Sequence, residues 1–153
     1  MKQLIIFLAL SCTMAHAQTP VNPANEVKPK QVCEESLTWT DTKPPLLPGA
    51  KVAVLEGNPK SEGHFTMRII LPPYYKVPPH IHPVDENTTV LRGQISIGFG
   101  DVLDTTQAVK LTAGCFYMNP KGVHHYFFTS AEETEIQIST NGPFGLELIG
   151  KKQ

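Results

Sequence analysis

The chain has 153 residues, enough for one domain and little more. Its 13 basic and 14 acidic side chains leave a formal charge of −1, which gives no electrostatic reason to expect nucleic acid or an anionic membrane surface as partner.

The N-terminus reads as an export signal. Lys2 gives a short positive region, Leu4 to Leu10 is apolar, and Ala15-His16-Ala17 is a small-x-small cleavage site. The apolar run is far below the ~20 residues that a spanning helix needs. Cys12 follows that run, but Ala9 stands where a lipoprotein signal carries leucine. Residues 1–17 are therefore expected to be a signal peptide cleaved after Ala17, which places the mature protein in a periplasm or outside the cell. Residues 18–36 are polar and proline-bearing and are expected to be a flexible mature N-terminus. Residues 37–153 are left as the folded domain. Cys33 and Cys115 stay after cleavage, and an oxidising compartment permits a disulfide between them without requiring one.

From Leu37 onward the chain is a series of short runs cut by Pro and Gly. In Lys51–Glu56, Val52 and Val54 fall on one side, and in Phe65–Leu71 the residues Phe65, Met67, Ile69 and Leu71 alternate with Thr66, Arg68 and Ile70. Thr88–Arg92 and Ile95–Phe99 flank Gly93 and predict a hairpin. Val109–Thr112, Phe116–Met118, Val123–Thr129, Glu135–Thr140 and Gly145–Ile149 follow. Period-two alternation with turn residues about every ten positions predicts an all-β sandwich or barrel. No segment after the signal has a 3.6-residue period.

One stretch in this series stands apart: His80-Ile81-His82-Pro83-Val84-Asp85-Glu86. In a strand, His80 and His82 project from the same face ~6.6 Å apart, so both imidazoles can lean onto one ion. Glu86 shares their parity but would start ~13 Å beyond His82 in a straight strand. The chain must bend, and Pro83, which has no N–H for a ladder, is the expected place. A second segment, Pro120-Lys121-Gly122-Val123-His124-His125, turns into another strand. His124 and His125 must face opposite sides, so at most one reaches the interior, and alternation does not choose between them. Three imidazoles and one carboxylate suit a first-row divalent ion (Fe, Mn, Zn, Ni or Cu), and in an octahedral site they leave two positions open.

At these residues the chain resembles a cupin. The first cupin motif, G-x5-H-x-H-x3,4-E-x6-G, is met by His80, His82, Glu86 and Gly93, with Tyr74 in place of the opening glycine. The second, G-x5-P-x-G-x2-H-x3-N, is met by Gly114, Pro120, Gly122 and His125, with Thr129 in place of asparagine. The resemblance implies a single jelly-roll β-barrel in which His80, His82, Glu86 and His125 bind one divalent metal. It leaves His124 outside the ligand set. Cupins commonly pair through sheet edges, so a homodimer is left open. The runs Leu47–Val52, Pro78–His80 and Gly142–Gly145 are similar to small exported single-domain cupins related to the zinc-binding cupin domain of anti-sigma factors and to acetylacetone-cleaving dioxygenases.

The catalytic residues are not named by the sequence. Phe127 shares parity with His125 and is expected to line the pocket. Gln137 is a candidate to point inward toward a metal-held water. Tyr117, Tyr126 and Arg68 are weaker pocket candidates, and His64 reads as surface. No Ser-His-Asp order, glycine-rich phosphate loop or C-x-x-C pair is present. The leading expectation is a metal-dependent oxidoreductase of dioxygenase type, acting on a small oxygen-chelating molecule. The alternatives are a non-catalytic zinc or small-ligand binding module, and a metal-dependent isomerase or lyase.

Overall fold

In a computed structural model of the protein, residues 29–46 and 48–150 are described. The expected signal peptide, most of the expected flexible N-terminus and Leu47 lie outside the described residues. Apart from residues 29–31, those described fall within one compact unit, Val32–Gln153.

This unit is built from eleven strands, with no α-helix among the described residues. A single 3₁₀ turn, Glu34–Ser36, precedes them. The strands are β1 (Thr40–Asp41), β2 (Lys51–Glu56), β3 (Gly63–Leu71), β4 (Lys76–Ile81), β5 (Glu86–Arg92) and β6 (Gln94–Phe99). They continue as β7 (Val109–Thr112), β8 (Phe116–Asn119), β9 (His125–Thr129), β10 (Thr134–Gly142) and β11 (Glu147–Leu148). They form two antiparallel sheets, a six-stranded one in the order β1-β2-β3-β10-β5-β8 and a five-stranded one in the order β11-β4-β9-β6-β7. The sheets face each other as a jelly roll. Alternate residues turn inward, so Phe65, Leu71, Val77, Val90, Ile95 and Ile136 are almost fully buried between them.

The hairpin expected around Gly93 does not form. β5 pairs with β10 and β8, whereas β6 pairs with β9 and β7. A single residue is too short for a hairpin loop, which needs at least two. Gly93 instead carries the chain from one sheet to the other, at φ +73° and pressed against the opposite backbone. A Cβ there would lie 2.4 Å from the carbonyl oxygen of Glu133, so only glycine fits.

A strand over Lys76–Ile81 is absent from the alternation reading because Pro78 and Pro79 interrupt the pattern. The same prolines shape it. Val77 pairs with Phe127 and His80 with His125, so three steps on β4 match two on β9. One extra residue is bulged out where the prolines cannot donate to the ladder. Without it, His80 would have the opposite parity to the inward Val77 and face solvent. With it, His80 is fully buried beside His125.

The preceding turn carries Tyr74, the residue in place of the motif's opening glycine. It has φ +58°, the left-handed conformation that glycine adopts freely, and its side chain is 71% exposed. The loop shape is kept, at the cost of strain. Thr129, in place of the second motif's asparagine, holds the same turn. Its hydroxyl donates to the Pro72 carbonyl at 2.7 Å and accepts from the Tyr75 N–H at 2.7 Å.

Cys33 and Cys115 are both free thiols, so they form no disulfide.

Candidate metal centre

Four buried polar side chains meet at one end of the barrel. His80 is the last residue but one of β4, His82 lies just past that strand's end, and His125 opens β9, both strands belonging to the five-stranded sheet. Glu86 opens β5 in the facing sheet, so the chain does bend at Pro83 and return. All four residues are 4% exposed or less. The three imidazoles bring ligand nitrogens within 4.8 Å of one another, an arrangement able to hold a metal ion. Glu86 Oε2 lies 3.2 Å from His125 Nε2 and 3.7 Å from His82 Nε2.

The backbone fixes the tautomer of each ring. His80 Nδ1–H donates to the Pro78 carbonyl at 2.8 Å, His82 Nδ1–H to the Gly145 carbonyl, and His125 Nδ1–H to the Val123 carbonyl at 3.1 Å. Each Nε2 is then left with an outward lone pair, as a metal-ligating histidine requires. His80 Nε2 and Glu86 Oε2 are buried without any hydrogen-bond partner. With Nδ1–H spent, His125 Nε2 and Glu86 Oε2 are two acceptors facing each other, and only a proton or a cation between them makes that contact favourable. Burying a carboxylate without compensation is expensive. The donor set, its depth and its orphaned atoms therefore fit a divalent cation.

Protonation agrees with this. Burial, and after it the neighbouring His125, push His80 down to about 3. Burial also pushes His82 down, against the pull of Glu86. Burial pushes Glu86 up, but the imidazoles around it, His125 foremost, outweigh this and hold it below the usual carboxylate range. His80 and His82, disfavoured as cations beside an ionised carboxylate, are ready for metal.

Side chains support the carboxylate. Thr88 Oγ1 and Tyr117 Oη donate to Glu86 Oε1 at 3.1 and 3.3 Å, which aims Oε2 at the imidazoles. Burial and the nearby Glu86 charge raise the Tyr117 phenol well above its ordinary value, so it stays a donor. The Asn119 amide lies 2.7 Å from His125 Nδ1, and its Oδ1 has no other partner. Turned through 180°, that oxygen accepts from the ring N–H. Sequence reading missed Thr88, Asn119 and the Gly145 carbonyl. Thr88 was accessible, since it shares parity with Glu86 on one strand. Asn119 offered only its place next to Pro120, and a carbonyl offers no side-chain signal at all.

The two motif turns are also tied together. The Gly122 N–H donates to the His82 carbonyl at 3.0 Å, and the Lys121 N–H to the Asp85 carboxylate at 2.8 Å.

The other candidates separate clearly. His124 turns out to the surface and pairs with Asp101. Phe127 lines the cavity beside the imidazoles, with its ring centroid 6.2 Å from that of His80. Gln137 does not point inward. Ile136 and Ile138 take the inward positions on β10, and Gln137 lies on the opposite face, where it accepts from Arg68 Nε at 3.2 Å. Arg68 is held there too, 3.3 Å from Glu135. Tyr126 is buried away from the site, and its hydroxyl donates to the Asp104 carbonyl. His64 is exposed beside Ser139.

A cavity of about 570 Å³ opens from the imidazoles. Its wall carries Met67, Ile69, Leu71, Phe127 and Ile138, and Phe144 stacks on the His82 ring with centroids 4.4 Å apart. The metal-ligand candidates are the buried polar end of a chamber whose middle is apolar.

Comparison with known proteins agrees with this architecture. A family model described as a domain of unknown function, DUF4437, matches residues 50–146. A putative germin-like protein 9-2 of Oryza sativa subsp. japonica is 33% identical over 75 residues, covering 48% of this chain and 35% of that protein. The chain thus spans about a third of the length of the curated relatives it matches. Among solved structures, the polyketide cyclase RemF from Streptomyces resistomycificus superposes with a TM-score of 0.69 at 16% identity, over 82% of this chain and 89% of that one. An oxalate oxidase superposes with a TM-score of 0.51 at 24% identity, over 66% and 55%. These likenesses are likenesses of fold.

Proposed function

The chain belongs to the DUF4437 family within the cupin superfamily, and from that premise we propose that it is a mononuclear metal-dependent oxidoreductase of dioxygenase type. Its substrate is a small molecule that chelates through two oxygens, such as a β-diketone or its enolate. His80, His82, Glu86 and His125 would hold the ion. The observation that carries this reading is the pair of orphaned atoms, His80 Nε2 and Glu86 Oε2, buried at the head of an apolar chamber. A redox-active divalent ion held there supplies Lewis acidity toward the chelating oxygens and one-electron chemistry with dioxygen.

The chain's own residues bind, orient and shield. Main-chain carbonyls behind each imidazole keep the nitrogens aimed at one point, and Thr88 and Tyr117 do the same for Glu86. Phe127 and Phe144 flank the head of the cavity and exclude water from a bound substrate. Apart from the ligand set, the cavity wall has no buried acid or base among the described residues. That favours chemistry centred on the ion over an isomerase or lyase, which needs a separate residue to move a proton. The names of two fold relatives, an oxalate oxidase and a polyketide cyclase, are in keeping with small-molecule chemistry on this scaffold.

Protein loaded with iron(II), manganese(II) or copper(II) is expected to consume oxygen when given pentane-2,4-dione, and His125→Ala is expected not to. Tight metal binding without oxygen uptake across a series of diketones would refute the enzyme reading. It would leave the second reading, a zinc-binding module, which the donor count favours: three nitrogens and one oxygen complete a tetrahedron around zinc. Export to a periplasm or beyond is part of the proposal, and N-terminal sequencing of the natural protein should begin at Gln18.

A further inference from the structure

The cavity is much longer in chemistry than a small chelate needs. At about 570 Å³ it falls within the ~300–1,000 Å³ of sites for drug-sized ligands. Its buried head is polar. The middle, with Met67, Ile69, Leu71 and Ile138, offers no hydrogen-bonding side chain. A ligand filling it must bring an apolar body.

The opening differs again. The exposed segment 40–45 and the turn at Pro59-Lys60 line the outer end of the cavity and bring Lys43 and Lys60 to it. Asp41 is there as well, but its carboxylate is engaged by Lys51 at 3.2 Å. Neither lysine has an acidic partner among the described residues. Polarity along the cavity therefore runs from cation-binding head, through an apolar barrel, to a rim carrying two uncompensated positive charges.

We propose that the site takes an amphiphilic anion, with an oxygen-chelating head at the imidazoles, an apolar body in the barrel, and an anionic group at Lys43 and Lys60. This rests on the metal-centre reading and narrows its substrate class. Lysine is suited to the rim, because its flexible stem can follow an anion while its ammonium stays hydrated.

The test uses the full chain loaded with zinc, so that binding is read without turnover. Zinc binding by equilibrium dialysis comes first. Three probes share one head: pentane-2,4-dione, undecane-2,4-dione, and 8,10-dioxoundecanoate, which carries the same six methylenes ending in a carboxylate. Undecane-2,4-dione is expected to bind about tenfold or more tightly than pentane-2,4-dione, since its methylenes leave water. The carboxylate is expected to add about threefold or more at low ionic strength, and to lose that gain in salt. The double variant Lys43→Gln, Lys60→Gln should erase the carboxylate gain and keep the chain-length gain. Zinc bound with equal affinity for all three probes overturns the inference while leaving the metal centre standing. A carboxylate gain that survives in the double variant overturns the role of the rim. Failure of zinc to bind, or equal zinc binding by His125→Ala, sinks the metal centre itself and this inference with it.

Discussion

The two sheets contribute to the centre in different ways. The five-stranded sheet brings three imidazoles, and each is aimed by a main-chain carbonyl from Pro78, Gly145 or Val123. The six-stranded sheet brings one carboxylate, aimed by the side chains of Thr88 and Tyr117. Carbonyls cannot be substituted away, whereas hydroxyls can. The nitrogen half of the site is therefore fixed by the fold, and the oxygen half is open to tuning by single residues.

The most severe way to break this contrast is to remove a ligand. His125→Ala is expected to weaken metal binding by more than about 100-fold, beyond the range of a supporting residue. Equilibrium dialysis measures it.

Acid attacks the nitrogen half next. His80 is held down to about 3 in the folded protein against an ordinary 6.5, so the unfolded chain binds its proton first. In metal-free protein, stability is full above ~6.5 and falls as pH drops from there toward 3, by an amount on the order of a few kcal/mol. Urea denaturation at stepped pH reads this. A profile flat from pH 7 to 4 would show that His80 is not held neutral.

The oxygen half is probed by Thr88→Val with Tyr117→Phe. We expect about 10- to 100-fold weaker metal binding with the fold retained. An unchanged affinity would show that Glu86 needs no support, and the contrast between the sheets would fail.

Smaller effects belong to the connections. Tyr74→Gly should raise thermal stability by about 1 kcal/mol or less, because relief of the left-handed strain exceeds the entropy that glycine adds to the unfolded chain. His124→Ala, which removes only a surface contact with Asp101, should leave metal affinity within about twofold of the parent.

Much of the barrel was legible because most of its strands are buried on one face, which writes a period of two into the sequence. Lys51–Glu56 and Val109–Thr112 were readable to the residue. β4 was not, since Pro78 and Pro79 break the alternation at the very place where the strand bulges. The Gly93 corner was misread because two strands adjacent in sequence look like partners until the third dimension separates them. The candidate ligands were legible as residue types in a known spacing. Between His124 and His125 alternation was silent, and the motif selected the residue that proves buried. Gln137 was misplaced because its parity had to be judged against Ile136 and Ile138, and those isoleucines own the interior.

The extra residue at Pro78-Pro79 has one more consequence. It acts as a phase shift: the letters His-x-His are in step with the chamber only because the count was altered upstream. A chain one residue shorter between Tyr74 and His80 would keep the spacing His-x-His-x3-Glu and still turn both rings toward water. For this fold, counting back to the last regular pair on the strand is a sharper guide to a working centre than the motif alone.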